Sequence, residues 1–252
     1  MKRSALAAAL AVLVTAPTLA SAQAGGPGFL FKKPRVSVGL RVGYAMPRTG
    51  GELFDYTLDE YIPLGADTLS SLSFDSPYLG GELAFRPWRH WDIAVGFGWT
   101  RSRSRSEYRR WIDTDGNPIQ QETTFQVVSG TVGAKFYPQE RGRQVGSLAW
   151  VPARLNPYVG GGIGVASYQF TQVGDFFDES TFEIFSDRLE TSADAFLAYG
   201  TAGVDFTLTK SVLLTVEARY SISNGDVTGA YQGFNDMDLG GLQLMAGMGL
   251  QF

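Results

Sequence analysis

Cysteine is absent from this chain of 252 residues, and histidine occurs once, at His90. The lack of cysteine excludes a disulfide scaffold and any thiolate metal site. A single imidazole excludes most histidine-based metal sites and every catalytic mechanism that needs two histidines. His90 falls in a short turn between Trp88 and Trp91, where an interfacial polar residue is expected. We expect no metal site, no cofactor and no catalytic residue, and we expect the chain not to be an enzyme.

Two further absences narrow the class of protein. The 21 basic residues do not outnumber the 25 acidic ones, so no cationic surplus is available to neutralise the phosphates of a nucleic acid. Beyond the N-terminus, no apolar run approaches the roughly 18 residues that a membrane-spanning helix needs. A nucleic-acid partner and a helical membrane protein are therefore excluded, although the mean hydropathy of -0.05 would fit an ordinary soluble domain.

The first residues have the pattern of a secretory signal peptide. Lys2 and Arg3 precede an apolar run over residues 5–14, and small residues at 20–22 suit signal peptidase. A retained signal anchor is the alternative, but the apolar run is short for that purpose. We expect a signal peptide at 1–22, a flexible lead-in at 23–34 and a folded domain at 35–252.

From Val36 onward, apolar residues alternate with glycine, serine, threonine or charged residues. A period of two is the pattern of a β-strand with two different faces. The alternation is broken at Phe125 and Val127, which are apolar residues on the polar face, and we expect a β-bulge there. In the glycine-rich fifth segment, the sequence does not decide which face points inward. Eight segments follow the rule, at residues 36–44, 78–87, 91–100, 124–136, 158–170, 196–206, 212–221 and 242–252.

Alternation alone also fits a soluble β-sandwich, whose apolar face points inward. It therefore has to be decided whether the apolar face of each segment points inward or outward. The apolar faces end in aromatic residues at two levels, as in the interfacial girdles of a membrane barrel. The polar faces are rich in glycine, which suits the cramped interior of a small barrel. We therefore predict an all-β fold, an eight-stranded antiparallel up-and-down transmembrane β-barrel. The predicted girdle residues are Phe85, Trp91, Phe136, Phe206 and Phe252 at one level and Tyr44, Trp99, Phe196 and Tyr220 at the other.

The connections between the segments alternate in length, which predicts the orientation of the barrel. Short turns at 88–90 and 208–211 are expected to face the periplasm. The connection at 138–156 is longer than such a turn should be, and the sequence offers no account of it. Long polar loops, expected to face outward, lie at 47–77, 105–122, 171–190 and 223–238.

Two stretches resemble known sequences. PYVGGGIGVASY at 157–168 and GMGLQF at 247–252 look like the corresponding pieces of the small outer-membrane β-barrel family that includes the OmpA transmembrane domain, OmpW and the opacity proteins. The resemblance implies a location in the outer membrane of a Gram-negative-type bacterium. It also implies a signal for the barrel-assembly machinery at Met248, Leu250 and Phe252. No single activity is implied, because the family includes structural proteins, narrow pores, channels for hydrophobic solutes and adhesins.

Four basic and four acidic residues fall on the predicted interior face. Eight charges in a narrow lumen are costly unless they pair. One interpretation is a structural ion-pair network that closes the lumen. The other is a gate whose pairs exchange partners to admit small ions. The eight residues are Arg41, Glu82, Arg86, Asp92, Lys135, Asp205, Glu217 and Arg219.

Three arginines, Arg101, Arg103 and Arg105, continue the outward parity of the third segment beyond Trp99. If the strand continues above the membrane, the guanidinium groups lie at the depth of lipopolysaccharide phosphates, which arginine can bind bidentately. A solvated loop stem is the alternative interpretation.

Together, these patterns predict a non-enzymatic outer-membrane protein with a structural, envelope-integrity or surface role and, at most, weak passage of small solutes. The alternative is a channel for small hydrophobic molecules. An apolar upper lumen would favour the channel, whereas a continuous ion-pair plug would favour the structural role. Adhesion by the acidic and aromatic first loop, residues 52–61, is a third option. The expected partners are outer-membrane lipids, lipopolysaccharide and the barrel-assembly machinery, and the chain is expected to be a monomer.

Overall fold

A computed structural model describes residues 28–58, 61–65, 73–113, 116–178 and 180–252. The predicted signal peptide therefore lies outside the described residues. No helix within the described ranges is long and apolar enough to cross a membrane. Eight long strands dominate the chain: β1 Val36–Pro47, β2 Ser76–Phe85, β3 Trp91–Ile112, β4 Pro118–Phe136, β5 Leu155–Asp178, β6 Glu183–Thr207, β7 Val212–Gly225 and β8 Gly241–Gln251.

The eight strands form a closed ring. Each strand pairs antiparallel with the next, and β1 pairs with β8, which confirms the predicted fold class. Paired residues followed once around the ring, from Ser37 through Ala84, Ala94, Gly133, Gly162, Tyr199, Ser221 and Gly241, return to β1 at Pro47, a stagger of ten residues. Eight strands make a barrel so narrow that side chains fill its interior.

The outer wall of the barrel is apolar. Residues of one parity, such as Leu40 and Val42, keep 66% and 59% of their surface exposed, whereas charged neighbours of the other parity, such as Arg41, are buried. A soluble protein buries such apolar side chains, so a continuous apolar exterior around a polar interior is the arrangement of a barrel in lipid.

One side of the barrel extends far beyond the rest. Strands β3 to β6 contain 22, 19, 24 and 25 residues, against 12 in β1 and 11 in β8. Their outer ends continue the sheet past the aromatic girdle as two long hairpins. The first outer loop contains a π-helical turn, Leu53–Leu58, and a short strand, Ile62–Pro63. The last contains a 3-10 turn, Gly229–Tyr231, and a short strand, Met237–Asp238.

The long periplasmic connection is a small hairpin. Its strands, Gly142–Val145 and Ala149–Pro152, pair with each other. The lead-in docks on this hairpin, because the Leu30 amide donates to the Trp150 carbonyl at 2.9 Å and the Trp150 amide donates back at 2.8 Å. The described end of the lead-in is thus hydrogen-bonded to the periplasmic hairpin.

The expected bulge at Phe125 and Val127 is absent from the described sheet. The pairing of β3 with β4 runs without a break through both residues, and the register shift lies further out, between Tyr108 and Ile112. Phe125 keeps only 4% of its surface exposed, because it faces inward and packs in an apolar layer of the upper lumen. The break in alternation therefore marks the level at which the side chains that fill the lumen change from charged to apolar.

Candidate functional site

The middle of the lumen holds an ion-pair network centred on Arg41. One guanidinium nitrogen of Arg41 lies 2.6 Å from Glu82 Oε1, and the other lies 2.6 Å from Glu217 Oε2. All three side chains are at most about one-tenth exposed. At this burial each charge needs a partner, because removing an ion from water costs several kcal/mol.

Two more cations and a phenol complete this central network. Lys135 contacts Glu82 and lies 3.7 Å from Glu217 Oε2, and Arg219 Nη2 lies 3.0 Å from Glu217 Oε1. The hydroxyl of Tyr158 donates to Glu217 Oε2 at 2.5 Å. Three cations thus share two carboxylates. Part of the excess positive charge faces aromatic rings, with Lys135 over Tyr158 at 4.6 Å and Arg219 over Tyr199 at 4.5 Å.

Gly247, which lies opposite Arg41 on β8, leaves room for the Arg41 side chain to extend as far as Glu217. Arg41 pairs with Gly247 of β8, which in turn pairs with Thr215 of β7, so Glu217 lies two strands away from Arg41. A Cβ atom at Gly247 would come within 2.9 Å of Arg41 Cγ. The arginine side chain can therefore cross β8 to reach Glu217 only because that strand carries no side chain at the crossing.

A second cluster forms the floor of the lumen at the periplasmic end. Asp92 accepts two hydrogen bonds from Arg141, one of them from Nη2 to Oδ1 at 2.7 Å. The Arg141 guanidinium also lies 3.8 Å from the centre of the Tyr137 ring. Sequence reasoning missed Arg141, because it belongs to the periplasmic connection rather than to a strand. The available clue was an arginine-rich connection of unexplained length.

The structure does not bring the eight predicted charges into one network. Arg86 Nε lies 3.7 Å from Asp92 Oδ1, and its Nε and Nη1 atoms are buried without a hydrogen-bond partner. Asp205 forms no ion pair among the described residues; it accepts hydrogen bonds from Tyr137 Oη at 2.8 Å and Thr215 Oγ1 at 2.7 Å. Hydroxyl donors therefore satisfy Asp205 in place of a cation, and the charges divide into a central network and a floor.

The upper lumen is filled by aromatic rings. Phe170 of β5 is fully buried and packs against Phe54 at 6.0 Å, Phe125 at 6.4 Å and Tyr231 at 5.7 Å between ring centres. Phe74 contacts Phe54 at 5.6 Å and Phe125 at 6.0 Å. We call these five rings the aromatic plug. Two of them come from the first outer loop and one from the last, so these loops fold into the barrel mouth.

A polar layer accompanies the aromatic plug. The Tyr231 hydroxyl donates to Gln172 Oε1, Gln172 donates to Gln121 Oε1 at 3.2 Å, and Gln121 donates to the Tyr61 hydroxyl at 2.9 Å. Buried amides that satisfy one another fix the positions of the groups that carry them. Burial also raises the pKa of Tyr231. The first and last outer loops are thus joined to β4 and β5 by side-chain hydrogen bonds.

Two small cavities lie inside the described part of the barrel. One of about 30 Å³ lies beside Arg41 and Asp205. Another, of about 50 Å³, lies between the central network and the aromatic plug, against Tyr78 and Leu197. These volumes suit a few water molecules, whereas small-molecule sites measure roughly 300–1,000 Å³. Neither of these two cavities is large enough for a small-molecule solute.

The three outward arginines lie on the wall above the membrane. Strand β3 does continue past them, to Ile112. Arg103 Nε and Arg105 Nε lie 3.3 Å and 3.2 Å from the two carboxylate oxygens of Glu122 on β4, and all three arginines are exposed. Their guanidinium groups face the outside of the barrel, where the arrangement could accept an anionic ligand.

The aromatic residues of the two predicted girdles lie on the outward parity. Trp91 and Phe136 pair across β3 and β4, with ring centres 5.0 Å apart. Met248, Leu250 and Phe252 share the outward face of the last strand and are exposed. No group of three or more histidine, aspartate or glutamate side chains that could hold a metal ion occurs in the described part of the chain.

The closed antiparallel ring, the apolar outer wall and the buried polar lumen define a β-barrel of the bacterial outer-membrane type. Comparison with solved structures agrees with this class. The outer membrane protein OprG from Pseudomonas aeruginosa matches with a TM-score of 0.52 and 14% identity over 88% of this chain and 99% of that one. At such low identity the likeness concerns the fold alone.

Two other solved structures match over similar lengths with lower scores. Neisserial surface protein A has 13% identity over 86% of this chain and 97% of that one, with a TM-score of 0.46. The attachment invasion locus protein Ail of Yersinia pestis has 15% identity over 86% and 99%, with a TM-score of 0.41. No family model matches the chain, and no curated protein is similar to it.

Proposed function

We propose that this chain is a non-enzymatic structural or surface protein of the outer membrane, a monomer whose lumen is closed to solutes. The observation that carries the proposal is the threefold filling of the lumen, by the floor around Asp92, the central network around Glu217 and the aromatic plug around Phe170. These layers come from different strands and loops, so no single side-chain movement opens a path.

The position of the only histidine supports a non-enzymatic role. His90 lies in the turn between β2 and β3, and its Nδ1 donates to the Tyr137 carbonyl at 2.8 Å. A backbone hydrogen bond of this kind orients the ring at the periplasmic end, away from the outer mouth. A general base must reach a substrate proton within hydrogen-bond distance, and the outer loops carry no histidine.

Conductance in planar bilayers tests the closed lumen. We expect the wild-type protein and the Arg219→Ala variant both to be non-conducting, because the aromatic plug and the Asp92–Arg141 pair remain when Arg219 is removed. Arg48→Ala is the matched control, since Arg48 is exposed and pairs with Asp238 outside the lumen. Ion channels in Arg219→Ala, with none in Arg48→Ala, would instead identify the central network as a gate.

A channel for small hydrophobic molecules is the second candidate, and one observation favours it. The aromatic plug makes part of the upper lumen apolar, and the cavity of about 50 Å³ touches Phe74 and Leu239 and reaches Leu242 where β8 pairs with β1. Uptake of an apolar dye into protein-containing vesicles separates the candidates. Uptake no faster than into empty vesicles supports the closed barrel, and faster uptake that increases in Phe74→Ala supports the channel.

We also propose that Arg101, Arg103 and Arg105 contact lipopolysaccharide phosphates. Their joint replacement by glutamine is expected to weaken lipopolysaccharide binding roughly tenfold, because each exposed charge pair contributes about 0.2–1 kcal/mol. Arg89→Gln is the control, since Arg89 is also an exposed arginine but lies at the periplasmic turn. Glu122→Gln should strengthen binding, because it releases Arg103 and Arg105 from their present partner. Unchanged lipopolysaccharide binding by the triple variant would contradict the proposed contact.

The barrel-assembly machinery is the further partner that we propose. Met248, Leu250 and Phe252 present alternate apolar side chains on one face of the last strand. That pattern is the kind that an assembly machine can read as an extended segment, with pockets for every second residue.

A further inference from the structure

The tip of the hairpin formed by β5 and β6 projects well above the membrane. On β5, Ser167 is linked to girdle residue Trp99 through Val128, and it is no lower than Trp99 because the paired residues climb around the ring from β1 toward β8. Phe177 lies ten residues further along the same strand, which at the usual rise and tilt is roughly 25 Å higher. This tip, residues 173–188, therefore cannot anchor the protein in lipid.

One exposed and two partly buried aromatic side chains lie together on the outer face of the tip. Phe182, in the turn, keeps 74% of its surface in solvent. Phe177 stacks on Trp111 of β3 with ring centres 3.4 Å apart, and it meets Phe182 edge-on at 6.0 Å. Ile184, paired with Phe177, is also exposed. Contiguous exposed apolar groups on a soluble surface mark an interaction site.

The turn holds Phe182 in place. Its backbone has φ of 60°, a conformation that bulky residues rarely adopt and that costs about 1–3 kcal/mol. The Phe182 amide donates to the Asp178 carbonyl at 2.9 Å. The Asp178 carboxylate accepts from the Ser180 amide at 2.8 Å and the Ser180 hydroxyl at 2.6 Å, which lowers its pKa. A ring held in advance loses little entropy on binding.

The chain around this ring is strongly acidic. Residues 175–190 contain six acidic residues and one basic residue, Arg188, and Arg188 pairs with Glu190 at 3.0 Å. Within the described ranges, no ion pair joins Asp175, Asp178, Glu183 or Asp187 to a basic side chain. The electrostatic field at the tip therefore attracts cations.

We propose that the hairpin tip is a docking surface for a cationic, amphipathic polypeptide segment. An apolar side chain of that segment covers Phe182 and the Trp111–Phe177 stack. Its lysines or arginines face Asp175, which alternation places on the same face as Phe177, and Glu183, which follows Phe182 at the turn. This surface is independent of the closed lumen, so it adds to the proposed function without resting on it. It also lies on a different loop from the first one, whose residues Leu53 and Phe54 are buried in the barrel mouth.

The test uses the full chain in lipid nanodiscs and a fluorescent amphipathic peptide of lysine and leucine, with binding followed by anisotropy. Saturable binding to the wild type is expected. Phe182→Ser should weaken binding at least about tenfold, since the ring would otherwise be buried by the ligand. Leu148→Ser is the matched control, because Leu148 is an equally exposed apolar turn residue of the periplasmic hairpin. Its affinity should equal that of the wild type.

A second arm tests the charge. The double variant Asp175→Asn, Glu183→Gln should bind several-fold more weakly and lose most of its salt dependence. The same peptide with glutamate in place of lysine should not bind. No binding of the lysine peptide to the wild type, or equal binding of the glutamate peptide, overturns the proposal. Equal affinity of Phe182→Ser and the wild type overturns it too. Binding of a neutral oligosaccharide that Phe182→Ser abolishes would identify a carbohydrate surface instead.

Discussion

Glu217→Gln is expected to lower the free energy of unfolding by about 3–5 kcal/mol, as when one partner of a buried charge pair is removed. Glu217 is 2% exposed and receives contacts from Arg41, Lys135 and Arg219. Without its charge, Arg41 and Lys135 keep only the carboxylate of Glu82, and Arg219 keeps no ion-pair partner among the described residues. Glutamine keeps the volume, so the effect isolates the charge.

Unfolding by urea in detergent micelles, followed through the loss of β-structure, measures this effect. Glu122→Gln is the matched control, because Glu122 also holds two cations, Arg103 and Arg105, but does so on the exposed wall. A surface pair contributes at most about 1 kcal/mol. Equal losses in the two variants would mean that the central network does not stabilise the barrel.

Phe170→Ala is expected to destabilise the protein by about 3–5 kcal/mol, the usual effect of deleting a fully buried phenylalanine. Phe170 has no exposed surface and contacts rings from both loops that close the mouth, Phe54 and Tyr231. The cavity left behind removes support from the first and last outer loops together. Proteolysis of these loops should therefore accelerate in the same variant.

Phe182→Ala serves as the control for this substitution. It removes the same side chain from the same hairpin at a position that is 74% exposed. A change within about 0.5 kcal/mol is expected, as for surface substitutions in general. If Phe170→Ala is no more harmful than Phe182→Ala, the aromatic plug does not contribute to stability.

The barrel and its central network could be predicted because both follow from alternation along single strands. Strand parity alone places Arg41, Glu82 and Glu217 on the inside of a closed ring, and a narrow ring brings inward charges together. The pairing partners follow from register, which a single sequence leaves open. For this reason Asp205 was expected to join an ion pair, whereas Tyr137 and Thr215 satisfy it with hydroxyl groups.

The two ends of the lumen could not be predicted in the same way. Arg141 enters from an irregular connection, and Phe54 and Phe74 enter from a loop, where no period constrains the direction of a side chain. One sign of the apolar layer was present in a strand. Phe125 is an apolar residue at an inward position because it faces this layer, and the sequence analysis interpreted it as a bulge instead.

The contact that Arg41 makes with Glu217 across Gly247 also bears on the order in which the strands of the barrel assemble. The contact between Arg41 and Glu217 joins residues 176 positions apart, and both partners lie beside the seam where the first strand meets the last. Hairpins such as β5–β6 can form from neighbouring sequence, but this seam requires the whole chain. Before closure, water can hydrate the charged side chains, and only the completed ring brings them together. Contacts formed that late slow unfolding more than they speed folding, so the seam should set the lifetime of the folded barrel.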